Sequence, residues 1–157
     1  MYDPEKTGHL VKKAYAGARQ LNVEILSEEI HHSRDVPSAL INLKGKIDVF
    51  WMLPDVTVVT PETVEILLLF SLENQIPMVT FSEKYAELGA FMSIGIDAFD
   101  IGVQAGEMAE EILSGRHVKD VSRADARKAV ISINMKIARK LGKHIPEEIL
   151  NNARRIE

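Results

Sequence analysis

The sequence predicts an α/β domain, a doubly wound parallel sheet with a C-terminal strand and helices, and three observations carry that prediction. Short apolar runs alternate with segments of helical period, as where "KIDVFWMLPD" is followed by "TPETVEILLLFSLENQ". Residues that open and close helices stand at the junctions: Thr60-Pro61 at one start, Gly89 and Gly115 at two ends. The run from Ile47 to Met52 is almost continuously apolar, the pattern of a strand covered on both faces.

Taken in order, Leu10, Val11, Ala14, Ala18 and Leu21 share one face at a period near 3.6 and predict a helix from Thr7 to Gln20. "VEILSEEI" predicts a strand over Val23 to Ser27, and "VPSALINLKG" a short helix with Pro37 in its first turn and Gly45 past its end. The strand Ile47 to Met52 stops at Pro54, and its continuity makes Phe50 and Trp51 core residues. Thr60 as N-cap, Pro61 at the first helical position and Glu62 in the first turn open the clearest helix. "IPMVTF" and "AFMSIGI" are strands, "SEKYAELG" a short helix between them, and "DIGVQAGEMAEEILSG" a longer helix ending at Gly115. Residues 1–116 are expected to form this α/β unit. Residues 117–157 comprise a polar connecting segment, the strand "AVISIN", a helix from "MKIARK", a turn at Gly142 to Ile145 and a final helix opened by Pro146.

Composition narrows the function classes. A chain of 157 residues with 46% hydrophobic and 27% charged residues has enough material for one sizeable core, and no apolar run approaches a membrane span. A net charge of -4 without a clustered basic face argues against nucleic acid as a partner. Zero cysteines exclude disulfides, thiol catalysis and thiolate metal sites. The adjacent His31 and His32 point to opposite sides of an extended segment and lack a third ligand at a metal spacing, so no metal or other cofactor is expected. No G-x-S-x-G elbow and no serine paired with histidine supports a hydrolase. The amino terminus lacks an export-signal pattern.

The stretches "YDPEKTGHLVKKAYAGARQLN", "IDVFWMLPDVTVVTPETVEIL", "IPMVTFSEKYAELGAFMSIGIDAFDIGVQAGEMAEEILSG" and "ISINMKIARKLGKHIPEEILNNA" together resemble the type I periplasmic solute-binding proteins of ABC transporters, in the subfamily linked to tryptophan and related aromatic amino acids. The resemblance covers the second of the two lobes such proteins have. It implies a non-enzymatic lobe supplying one wall of a site for an amino acid or similar small solute. It further implies an ABC permease as partner, a first lobe or a second copy facing the cleft, and a location outside the cytoplasmic membrane, with a cytoplasmic location as the alternative. Val56 stands where the family tends to have an amide residue, and Ala98 where an aromatic is usual.

Loops at the C-terminal ends of parallel strands open toward one edge, where ligands of open α/β sheets bind. Three such loops follow Tyr2, Met52 and Ile96, which makes Asp3, Thr7, Asp55, Thr57 and Asp97 the candidate ligand residues. Asp55 and Asp97 are the candidate carboxylates for an ammonium group, and both match acidic positions near the family's cleft. The plainer reading is that each aspartate caps the turn or helix that follows it. Two other functions stay open: a phosphoacceptor receiver-like domain, in which Asp3, Asp55, Thr80 or Ser82 and Lys84 would supply the expected groups, and a ligand-free dimerisation module.

Overall fold

The computed structural model describes residues 1–157. Asp3 and Pro4 set the start of the first helix: Pro4 tolerates the first helical position because it has no N–H to leave unpaired, and the Asp3 side chain accepts from the Glu5 N–H at 3.0 Å. Helix α1 (Pro4–Leu21) therefore begins before the Thr7 expected from apolar periodicity. It ends at Asn22, held in the left-handed region at φ 54.

The segment Val23 to Ser27, expected as a strand, forms none, and its neighbourhood contributes one parallel bridge, Tyr2 to Glu29. A β-favouring pattern becomes a strand only beside a partner backbone, and no such partner lies alongside. Helix α2 (Val36–Leu43) follows as predicted. Strand β1 pairs only through Phe50–Trp51. Phe50 and Met52 are buried at 4% and 1%, whereas Val49 and Trp51 are 50% and 49% exposed. Burial on both faces and a core role for Trp51 are thus corrected: β1 is the first strand of the sheet, and the space beyond its outer edge holds no further strand.

Helix α3 (Pro61–Glu73) has the N-cap read from sequence, as a reciprocal box in which Thr60 Oγ1 accepts from the Thr63 N–H at 3.3 Å and Thr63 Oγ1 from the Thr60 N–H at 2.8 Å. Strand β2 (Met78–Thr80), helix α4 (Glu83–Glu87), strand β3 (Met92–Ile96) and helix α5 (Ala98–Leu113) follow. The sheet order is β1-β2-β3-β4-β5, with β1, β2 and β3 parallel. Strand β4 (Ala129–Asn134) runs antiparallel to β3 through five registered pairs. The mixed α/β fold is as expected, with a mostly rather than wholly parallel sheet.

Asn134 closes β4 and caps helix α6 (Met135–Lys140), its Oδ1 accepting from the Ile137 N–H at 2.9 Å. The expected final helix is cut to α7 (Glu147–Leu150), and the chain then turns into strand β5 (Ala153–Ile156), parallel to β4. The free edge of β4 offers a hydrogen-bonding partner that helical period alone does not reveal. The core lies between β1, β2, α2 and α3, around Ile30, Val36, Met52, Leu67 and Met78.

Helix α5 lies mostly open to solvent, with Asp100 as its one buried residue. The returning segment clamps it there. Arg127 donates to Asp100 Oδ2 at 3.0 Å and to Glu107 Oε2 at 2.9 Å, and Lys128 Nζ lies 3.2 Å from Asp100 Oδ1. Burial pushes the Asp100 carboxyl up, but hydrogen bonds from Arg127 and Lys128 together with their charges outweigh it and hold the group below the ordinary carboxylate range.

Removing the hydroxyl in Thr60→Ala is expected to cost about 1 kcal/mol, a fall in Tm of roughly 2–4 °C by thermal unfolding. For Asp100 the sign is fixed by its depressed folded-state value. Its contribution is present above the unfolded pKa of roughly 4 and is lost as pH falls through the lower folded value. Arg127→Ala should therefore unfold at lower temperature than the parent at neutral pH, with the gap narrowing as the pH is taken below about 4.

Candidate functional site

Because β1, β2 and β3 are parallel neighbours, the segments leaving Trp51, Thr80 and Ile96 emerge at one edge of the sheet. The bridge between Tyr2 and Glu29 sets Asp3 beside the loop after β1. Four of the five candidate residues meet there. The Asp55 carboxylate, 1% exposed, accepts through Oδ2 from the Asp3 N–H at 2.7 Å and from the Thr7 hydroxyl. Through Oδ1 it accepts from the Thr57 N–H at 2.9 Å and the Val58 N–H at 3.2 Å. Asp3 receives the Glu5 N–H on Oδ1 and the Thr57 hydroxyl on Oδ2, the latter at 2.7 Å.

This is a closed circuit of two carboxylates, two hydroxyls and backbone N–H groups, and it joins the start of α1 to the loop 53–59. The Thr57 hydrogen bond is the main influence holding Asp3 below the ordinary carboxylate range; burial opposes it, and the Glu5 N–H and the charges of Lys6 and His31 add to it. With four protein donors on its two oxygens and almost no exposure, Asp55 shapes the loop rather than presenting a free acceptor. The residues the loop turns outward are Pro54 and Val56, both exposed, with Thr57 half-buried.

Asp97 stands apart from the circuit. It lies at the end of β3, two strand spacings or roughly 10 Å from β1. Its Oδ1 accepts from the Asp100 N–H at 3.0 Å and so caps α5, the plainer sequence reading. The side chain is only half-buried, and Oδ2 makes no hydrogen bond within the chain. Next to it Phe99 is 82% exposed. Sequence reasoning passed over Phe99; a bulky aromatic in the first turn of a helix, on the ligand edge of a parallel sheet, is the signal that was there to be used.

The chain belongs to the family of ABC transporter substrate-binding proteins, whose match spans residues 1–157. A tyrosine-binding protein of Clostridioides difficile is 33% identical over 117 residues, covering 74% of this chain and 33% of that protein. Among solved structures, a conserved domain protein from Vibrio cholerae superposes with TM-score 0.79 at 27% identity, over 99% of this chain and 53% of the other. The ligand-free, open structure of a substrate-binding protein with adhesive properties from Clostridium difficile gives TM-score 0.78 at 27% identity, over 100% and 52%. A Streptococcus pneumoniae ABC domain in complex with L-Trp shares the fold, with TM-score 0.79 at 23% identity. This chain thus spans about half the length of the solved relatives and a third of the tyrosine-binding protein. No helix is long and apolar enough to cross a membrane.

Asp55→Ala strips four donors of their acceptor and is expected to destabilise the fold by about 3 kcal/mol, roughly 6–12 °C in Tm. Amide exchange at Asp3, Thr57 and Val58 should quicken in the same variant.

Proposed function

We propose that this chain is a non-enzymatic binding lobe, supplying one wall of a cleft for an aromatic amino acid or a similar zwitterionic solute. The reading is supported above all by the free oxygen of Asp97 beside the exposed ring of Phe99, at the edge where the strand-end loops converge. Asp97 Oδ2 receives the solute ammonium and Phe99 stacks on its side chain, while the backbone-rich loop 54–57 takes polar atoms. Asp3, Thr7, Asp55 and the Thr57 hydroxyl act from behind, holding that loop. Tyrosine is the first solute to try, because a tyrosine-binding protein is among the relatives.

In this reading residues 1–116 are the lobe proper and 117–157 the connection with its strand and helices. The facing wall comes from a first lobe. The complete assembly delivers solute to an ABC permease outside the cytoplasmic membrane. A receiver-like role fits less well, since a phosphoacceptor must be open to its donor and Asp55 is enclosed.

One wall encloses only part of a ligand, so affinity for the isolated chain is expected in the millimolar range. Titration of the isotope-labelled chain with L-tyrosine should shift amide resonances around Pro54 to Thr57 and Asp97 to Asp100. Asp97→Asn keeps a good N-cap and removes the charge, so it should weaken those shifts by about 10–100-fold in Kd with Tm little changed. Shifts centred on another face, or an unchanged Kd in Asp97→Asn, would reject the proposal.

A further inference from the structure

On the other side of β1 lies an apolar groove of about 680 Å³, roofed by α1 through Ala14 and Ala18, with Leu26 on one wall, Val49 and Trp51 on the other and Met1 at its end. Both walls carry backbone groups without backbone partners. Strand β1 bonds β2 through the Phe50 N–H to Pro77 O and the Met52 N–H to Val79 O, both 2.9 Å, so alternation turns the N–H and C=O of Val49 and Trp51 toward the groove. Across it, Glu24, Ile25, Leu26 and Ser27 make no backbone–backbone hydrogen bond, although Val23 does, to Ala18. Between these walls sits Tyr2, its N–H on Glu28 O at 3.0 Å and its C=O accepting from the Ile30 N–H at 2.8 Å. Tyr2 is one residue of parallel strand in a gap whose remaining length is empty of protein.

From this placement we infer that the groove is an acceptor for one extended, almost wholly apolar β-strand, running parallel to residues 23–29 and to β1 and directed at Met1. The inference stands on the groove alone and does not depend on the solute site. A strand fits because Tyr2 already lies in the groove as extended backbone paired in parallel with Glu29, and because unpaired backbone groups line both walls, which a helix with its internal hydrogen bonds does not satisfy. Five residues of wall, 23–27, accommodate a strand of roughly 16 Å. With α1 over one face and the core including Met1 and Ile30 under the other, both faces of the added strand are covered, which calls for Val- and Ile-rich sequence. It comes from outside residues 1–157, on the polypeptide that carries the half of the solved relatives' length this chain does not span. Its arrival converts Val23 to Ser27 into the strand their sequence pattern predicts, and buries Val49 and Trp51.

Trp51 is the single tryptophan, and so reports on the groove directly. Three proteins decide the matter: residues 1–157, the same chain with seven Val- and Ile-rich residues joined ahead of Met1, and that extended chain with proline at alternate added positions. The Val/Ile extension should move Trp51 emission to the blue, lower its quenching by acrylamide, and slow amide exchange of residues 24–28, 49 and 51 by about tenfold or more. The proline version, which lacks the needed donors, should leave all three as in the parent chain. The inference is overturned if the Val/Ile extension changes none of them, or if the proline version changes them equally. It is likewise overturned if the parent chain alone shows a buried Trp51 together with the light-scattering mass of a dimer, because a second copy then closes the groove.

Discussion

The buried carboxylate of Asp55 is the constraint on which this edge of the sheet depends. Four donors from two stretches of chain, Asp3 and Thr7 at the start of α1 and the Thr57–Val58 turn, converge on its two oxygens. The bonds from Asp3 and Thr7 each close a loop of about fifty residues, so the group joins parts of the chain that local structure would leave independent. A carboxylate taken out of water is costly unless its lone pairs are filled, and here they are filled by groups that would otherwise be unpaired at a helix start and in a tight loop. The arrangement is stable only when all its members are present, which ties the position of Pro54, Val56 and Thr57 to the position of α1.

Direction of strands then places the second half of the edge. Three parallel neighbours send their loops the same way, so Asp97 and Phe99 face the same side as the Asp55 loop without touching it. The polarity of β4 is opposite: it pairs antiparallel with β3 and, on its other side, parallel with β5. Arg127, just before β4, ties the entry to that strand to α5 through Asp100 and Glu107. The clamp is electrostatic on a helix with little other contact to the sheet, whereas β1 and β2 are joined to α2 and α3 by apolar burial. The two ends of the same edge therefore rest on different supports, the apolar core with the Asp3–Asp55 hydrogen-bond circuit at β1 and the Arg127–Asp100 ion pair at α5.

Much of this was legible in short windows of sequence. Thr60-Pro61, Asp97 and Gly115 signal helix ends through their own side chains or their lack of one, and the helices start and stop there. Asp3 also acts locally, and its effect on the start of α1 was missed only because apolar period was given more weight than the Asp-Pro pair. The candidate residues were found, but their roles were not. Asp55 and Asp97 are the same residue type after similar apolar runs, yet one is enclosed by distant donors and the other keeps an oxygen free.

By itself the sequence determined the alternation of strand and helix, the caps and the α/β class, since each follows from interactions spanning a few residues. Tertiary structure alone decided which strand patterns found a partner. It kept Val23 to Ser27 unpaired, exposed Trp51, reversed β4 and turned Ala153 to Ile156 into β5. The physical reason is the same in each case: a strand's hydrogen bonds and its burial belong to its neighbours, and neighbours in a sheet are set by packing across the whole chain.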